Sequence, residues 1–149
     1  MKYLIAIWSI FLTMGCGPRL YLIEMNSAKE FSVYRAEYSE IKHEELGQET
    51  RQFPIIFGSL FKSKDRVEFG TCFMVGESRR VVIDEIEWEK LNETSRKELI
   101  FHEMIHCDLN FLVHVNGIRN IMDASHQYLA SPEASLRGFF DECKQGLYK

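Results

Sequence analysis

Basic surplus, internal repeats and membrane-length apolar runs are all missing from this chain. Lysine and arginine number 18 against 22 aspartates and glutamates, for a formal net charge of −4. That balance lacks the positive footprint of a nucleic-acid binder, so no nucleic-acid partner is expected. No segment repeats and no tract is of low complexity. The most continuous apolar run, Leu4 to Leu12, is broken only at Ser9, and it is too short to span a bilayer as a mature helix. What is present suits one ordinary domain: 149 residues, 46% of them hydrophobic and 27% charged. That is material for a real core and argues against wholesale disorder.

The start, "MKYLIAIWSIFLTMGC", differs in kind from the rest. Lys2 gives a positive beginning, the apolar run follows, and Gly15-Cys16 closes it, as in a secretory leader. The ending resembles a bacterial lipobox, with Thr13 where leucine is usual. We therefore expect a lipoprotein signal peptide over 1–15, a lipidated Cys16, a tether over 16–29 and one domain over 30–149. An ordinary signal peptide or an uncleaved anchor are the alternatives, and each exports the domain. Gly17 in place of aspartate, by likeness to Gram-negative lipoproteins, implies the outer membrane. Among Cys72, Cys107 and Cys143, an oxidising compartment allows a pair. Cys72–Cys107 is the expected one, tying a central strand to the helix discussed below. The other possibility is that all three are small buried hydrophobes.

From Glu30 to Leu46, Phe31, Tyr34, Tyr38, Ile41 and Leu46 recur at near-helical spacing, and Gly47 ends the pattern. Then "FPIIFGSLF", "RVEFGTCFMV" and "RRVVIDEIEW" read as three strands of an antiparallel meander, separated by "KSKD" and "GESR" turns. Val81, Ile83 and Glu85 would share one face, and Val82, Asp84 and Ile86 the other. Gly70 inside the second strand marks a bulge or a close approach. A helix restarts with Ser95 and Glu98 as a capping box and runs to about Leu109. After it the chain looks irregular until Ser131-Pro132 opens a last helix, whose apolar face is Leu136, Phe139, Phe140 and Cys143.

The segment "LIFHEMIHCDLN" carries the chemistry. On a helix His102 and His106 lie one above the other, so both imidazoles can aim at one point, with Glu103 one step round. This spacing suits zinc (Zn2+) bound by two nitrogens beside a carboxylate able to act as general base. Neutral imidazole leaves the ion's charge intact, and that charge pulls the pKa of bound water toward ~7. Two solvated surface histidines would instead require a polar face, and the flanks Leu99, Ile100, Phe101, Met104 and Ile105 deny one.

With "HEMIHCDLNFLVH" and "NIMDASH" the chain resembles the zincin metallopeptidases, in particular the metzincin branch and small bacterial metallopeptidases. The likeness covers about residues 54–126, and its specific part is the motif helix and the methionine. It implies that Asn110 takes the part of a turn glycine, and that Met122 lies in a methionine turn beneath the metal. It also implies that a twisted sheet covers the motif helix, with an edge strand holding extended substrate. A third ligand is required, and His114 is the first choice, two residues later than the metzincin pattern has it. His126, Asp123 and Glu133 are the other candidates. Tyr128 could donate to an oxyanion, or simply pack; Asp108 could orient a ligand histidine, or face solvent; His43 belongs to a solvated surface.

The expected fold is therefore α+β: a small, mainly antiparallel sheet on a buried zinc helix, with N- and C-terminal helices. The expected function is peptide-bond hydrolysis by a lipid-anchored zinc enzyme. Glu103 is its base, His102, His106 and His114 are its ligands, and a peptide or protein is its substrate. Hydrolysis of a cell-wall amide, or zinc that only stabilises a binding lipoprotein, are the rival readings.

Overall fold

The computed structural model describes residues 28–63, 67–115, 121–123 and 131–148, and the leader, Cys16 and most of the tether lie outside them. A short 3-10 turn at Lys29–Phe31 leads into helix α1, Ser32–Leu46. Its apolar stripe packs inward as the spacing predicts, with Tyr34, Tyr38 and Ile41 buried. Gly47 ends the helix in the left-handed region at φ 64, and its N–H is bonded to the carbonyl of His43. Three strands follow: β1 (Ile55–Gly58), β2 (Gly70–Val75) and β3 (Ser78–Asp84). Then come helices α2 (Glu85–Lys90), α3 (Glu93–Leu109) and α4 (Pro132–Lys144).

The sheet is mixed rather than an antiparallel meander. Its order is β1-β3-β2. β2 and β3 form a hairpin, with Cys72 opposite Val81, but β1 runs parallel to β3, with Ile55 opposite Val81. The physical reason is burial. Val81, Val82, Ile83 and Asp84 are all buried, so β3 is covered on both faces and takes the centre, as continuous apolar strands do. The connection after β1 must then carry the chain to the far edge. The hairpin loop is two residues long, and Gly76 supplies its positive φ of 61.

Two element ends differ from expectation. β3 stops at Asp84, because that side chain accepts the N–H of Glu87 and caps α2. Residues 85–88 are thus helical, not strand. Helix α3 begins before the expected Ser95–Glu98 box: Asn92 is its N-cap, accepting from Ser95 N at 2.9 Å. Asparagine caps at least as well as serine, and the earlier start adds helical hydrogen bonds. Helix α4 starts as expected, with Ser131 accepting from Ala134 N. No helix among the described residues is long and apolar enough to cross a membrane.

Helix α3 is the centre of the molecule. The sheet packs against one side, and α1 and α4 pack against another. Leu99, Ile100, Phe101, Met104 and Ile105 are all buried there. Asp108 neither faces solvent nor orients one of the motif histidines. It is 1% exposed and pairs with Lys42 of α1 at 2.8 Å. It also accepts from Tyr38 Oη at 3.1 Å and Arg51 N at 2.9 Å, while Lys42 donates onward to the Glu49 carbonyl. Every group in this network is satisfied, which is the condition under which a buried ion pair is tolerable.

Removing one partner would strand the other. Asp108→Ala should destabilise the fold by about 3–5 kcal/mol, because it leaves the Lys42 ammonium buried without a counter-charge. The double change Lys42→Met with Asp108→Leu should recover most of that loss. Urea denaturation of the metal-free protein compares the two; equal losses would refute the account.

Candidate metal centre

Helix α3 places His102 and His106 one turn apart on one face. The helix then ends at Asn110, which adopts the left-handed conformation at φ 59. Asparagine tolerates that region better than other side chains. The reversal brings the next residues back over the last turn of α3, and His114 returns its ring to the first two. The three Nε2 atoms form a triangle: 3.0 Å between His102 and His114, 3.0 Å between His102 and His106, and 3.3 Å between His106 and His114. Bonds of about 2.0–2.1 Å at tetrahedral angles set ligand nitrogens roughly 3.3–3.4 Å apart. The triangle is therefore close to the size that a tetrahedral divalent ion requires, and the three residues could hold a metal.

The opposite nitrogens strengthen this reading. Nδ1 of His102 lies 2.7 Å from the carbonyl oxygen of Ile121, and Nδ1 of His106 is bonded to the carbonyl oxygen of Phe111. A carbonyl only accepts, so each Nδ1 carries the proton, and each neutral ring then turns an Nε2 lone pair toward the other. Lone pairs at such separations repel unless a proton or a metal ion lies between them. Backbone carbonyls orient metal-ligating histidines in this way. Burial pushes His106 below the ordinary imidazole range, against the Phe111 carbonyl and helped by His114, which favours the neutral, ligating form.

Glu103 is 5% exposed and faces the same space. Burial pushes its carboxyl up to about 8; the backbone N–H of Cys72 works against this and the charge of Glu68 adds to it. A dication on the neighbouring imidazoles would draw that value back down by favouring the carboxylate. Glu103 and the three histidines line an open cleft of 510 Å³, walled by Val67, Phe69, Gly70 and Met74 on one side and Leu112 on the other.

Asp123 is half-buried and outside the histidine group. Glu133 is engaged elsewhere, in an ion pair with Lys97, which also holds Glu37. His126 and Tyr128 lie outside the described residues. His43 is solvent-facing, 3.5 Å from Glu49. Met122 is fully buried, directly after Ile121, and its carbonyl accepts from Val115 N at 3.0 Å. Cys72 and Cys107 form the expected disulfide and Cys143 is free, although β2 is an edge strand and not a central one. Sequence reasoning missed Ile121 and Phe111. Each acts through a backbone carbonyl, which leaves no mark in residue identity.

Searches with family models, against curated proteins and against solved structures find no match.

One divalent ion per chain is the expected stoichiometry. His114→Ala, a change at an exposed residue, should weaken metal binding by at least ~10²-fold with little loss of fold, since it removes one of three protein ligands. Glu133→Gln should leave binding unchanged. Metal analysis after dialysis against a competing chelator checks both.

Proposed function

We propose that this protein is a zinc-dependent metallopeptidase. The observation that carries the reading is the convergence of three imidazole nitrogens beside a buried glutamate, in a cleft walled by an open strand edge. Three imidazoles with no thiolate suit zinc, and leave a fourth tetrahedral position for water or substrate. When bound there, zinc would supply Lewis acidity toward a carbonyl oxygen and would acidify water.

The chain's own residues account for the rest. His102, His106 and His114 hold the ion as neutral ligands. Glu103 takes the proton from the attacking water and delivers it to the leaving amide nitrogen, its carboxylate held meanwhile by the Cys72 N–H. Among the described residues β2 has a hydrogen-bonded neighbour on one side only, so its outer edge can pair with an extended peptide by strand addition. The packing of the sheet on α3 supports a zincin-like arrangement, in a reduced form with three strands. We further propose export and a lipid anchor on Cys16, so that the enzyme works at the periplasmic or surface face of a bacterial outer membrane. The disulfide supports this placement, because such bonds persist in oxidising compartments.

Glu103→Gln is the deciding variant. It should cut hydrolysis of casein or a peptide library by at least ~10³-fold, as expected for loss of a general base, with zinc content and melting temperature nearly unchanged. 1,10-Phenanthroline should abolish the wild-type activity and added zinc restore it. Activity that survives Glu103→Gln would remove the base from the mechanism. An inactive wild type that unfolds on His106→Ala would point to zinc as a purely structural ion.

A further inference from the structure

Among the described residues, strand β2 has a neighbour in the sheet on one side only, yet it walls the cleft that holds the three histidines. An edge strand in that position peels readily unless something holds it. Two features hold β2 to α3. At Gly70 the backbone comes so near the helix that a Cβ would lie 2.9 Å from Glu103 Cγ, 3.0 Å from Ile83 Cδ1 and 3.1 Å from Leu99 Cδ1. Two residues later Cys72 is bonded to Cys107, with their Cα atoms 5.5 Å apart. Cys107 directly follows His106, and the amide of Cys72 donates to the Glu103 carboxylate. The strand is thus fastened to the helix right where the glutamate sits.

The histidines are held from elsewhere. His102 is oriented by the carbonyl of Ile121 and His106 by the carbonyl of Phe111, while His114 arrives on the segment after Asn110. None of these supports runs through β2. We propose that Gly70 and the Cys72–Cys107 disulfide form a latch that positions Glu103, mechanically separate from the scaffold that positions the metal ligands. Gly70, Cys72 and Cys107 are positioning residues in this scheme. Its consequence for turnover rests on the metallopeptidase reading; its consequence for the strand does not.

The test uses the full chain loaded with zinc, in three forms: wild type, Cys72→Ser with Cys107→Ser, and Gly70→Ala with the disulfide intact. Variants replace chemical reduction because thiol reductants themselves take up zinc. Amide exchange over residues 70–75 should accelerate at least ~10-fold in both variants, while residues 99–108 keep their protection. Zinc affinity, read by competition with a chromophoric chelator, should stay within ~3-fold of wild type, since no ligand and no ligand support is touched. Casein hydrolysis should fall at least ~100-fold, in kcat rather than KM, as expected when the proton acceptor is misplaced. Unchanged exchange over 70–75 in both variants overturns the latch. So does zinc affinity that falls in step with strand opening, because the two scaffolds would then be one. If the serine pair prevents folding, Gly70→Ala alone decides. A wild type that binds zinc but hydrolyses nothing refutes the peptidase reading, and the exchange and affinity measurements still decide the latch.

Discussion

Neutral imidazoles whose lone pairs face one another are the constraint around which the centre of this molecule is organised. Each of the two helical rings is fixed by a carbonyl behind it, so neither can turn its N–H inward to relieve the contact. A proton or a metal ion between the rings would relieve that repulsion, and three convergent nitrogens are the arrangement a chelate needs. Occupancy of the site would therefore be coupled to the packing of everything that supplies a carbonyl or a ring. That set includes the end of α3, the segment from Phe111 to Val115, and the turn at Ile121 and Met122. Phe111 extends the set to α4, because its ring packs on Phe139 and on Tyr148, at 5.3 and 5.2 Å.

Helix α3 meets several demands on different sides of one cylinder. Its last turn buries Asp108 against Lys42 and Tyr38 of α1. Another side takes Gly70, Cys72 and the rest of the sheet. The side carrying His102 and His106 opens to the cleft. A helix loaded in this way cannot shift along its axis without breaking an ion pair, a disulfide and two histidine hydrogen bonds together. The helix is thus held in place by unrelated contacts that agree on one position, the ion pair from α1, the disulfide from β2 and the carbonyls behind the two rings.

Much of this was legible in the sequence because it is local. The i, i+4 spacing of the histidines, Asn110 as a left-handed terminator, Ser131-Pro132 as a helix start and the alternation of Val81 and Ile83 depend on near neighbours alone. Gly70 was legible as a close approach, though not what it approaches. The misreadings share a cause. The apolar run 81–83 continues past Asp84 through Ile86 and Trp88 at strand spacing, and this masked an Asp84–Glu87 helix start. Strand order was hidden because the pairing of β1 with β3 spans the connection after β1 and depends on which strand is buried twice. Asp108 lies beside the motif, and its partner, Lys42, is 66 residues away, so proximity in sequence suggested a role that tertiary contact overrode.

The same distinction divides the centre itself. The three imidazoles fall within residues 102–114, so the ordering they require involves a short loop and little chain entropy. The surroundings of Glu103 are assembled from far away: Gly70 and Cys72 reach it through the hairpin, and the sulfur bridge spans a sequence separation of 35. Local contacts can form before the sheet is complete; the amide that holds the carboxylate cannot. On the proposed reading, ion capture then belongs to the motif helix and its return loop, while base positioning belongs to the finished fold. A chain that grips its metal early would acquire a correctly held general base only once β2 has docked, so hydrolytic competence would follow folding rather than precede it.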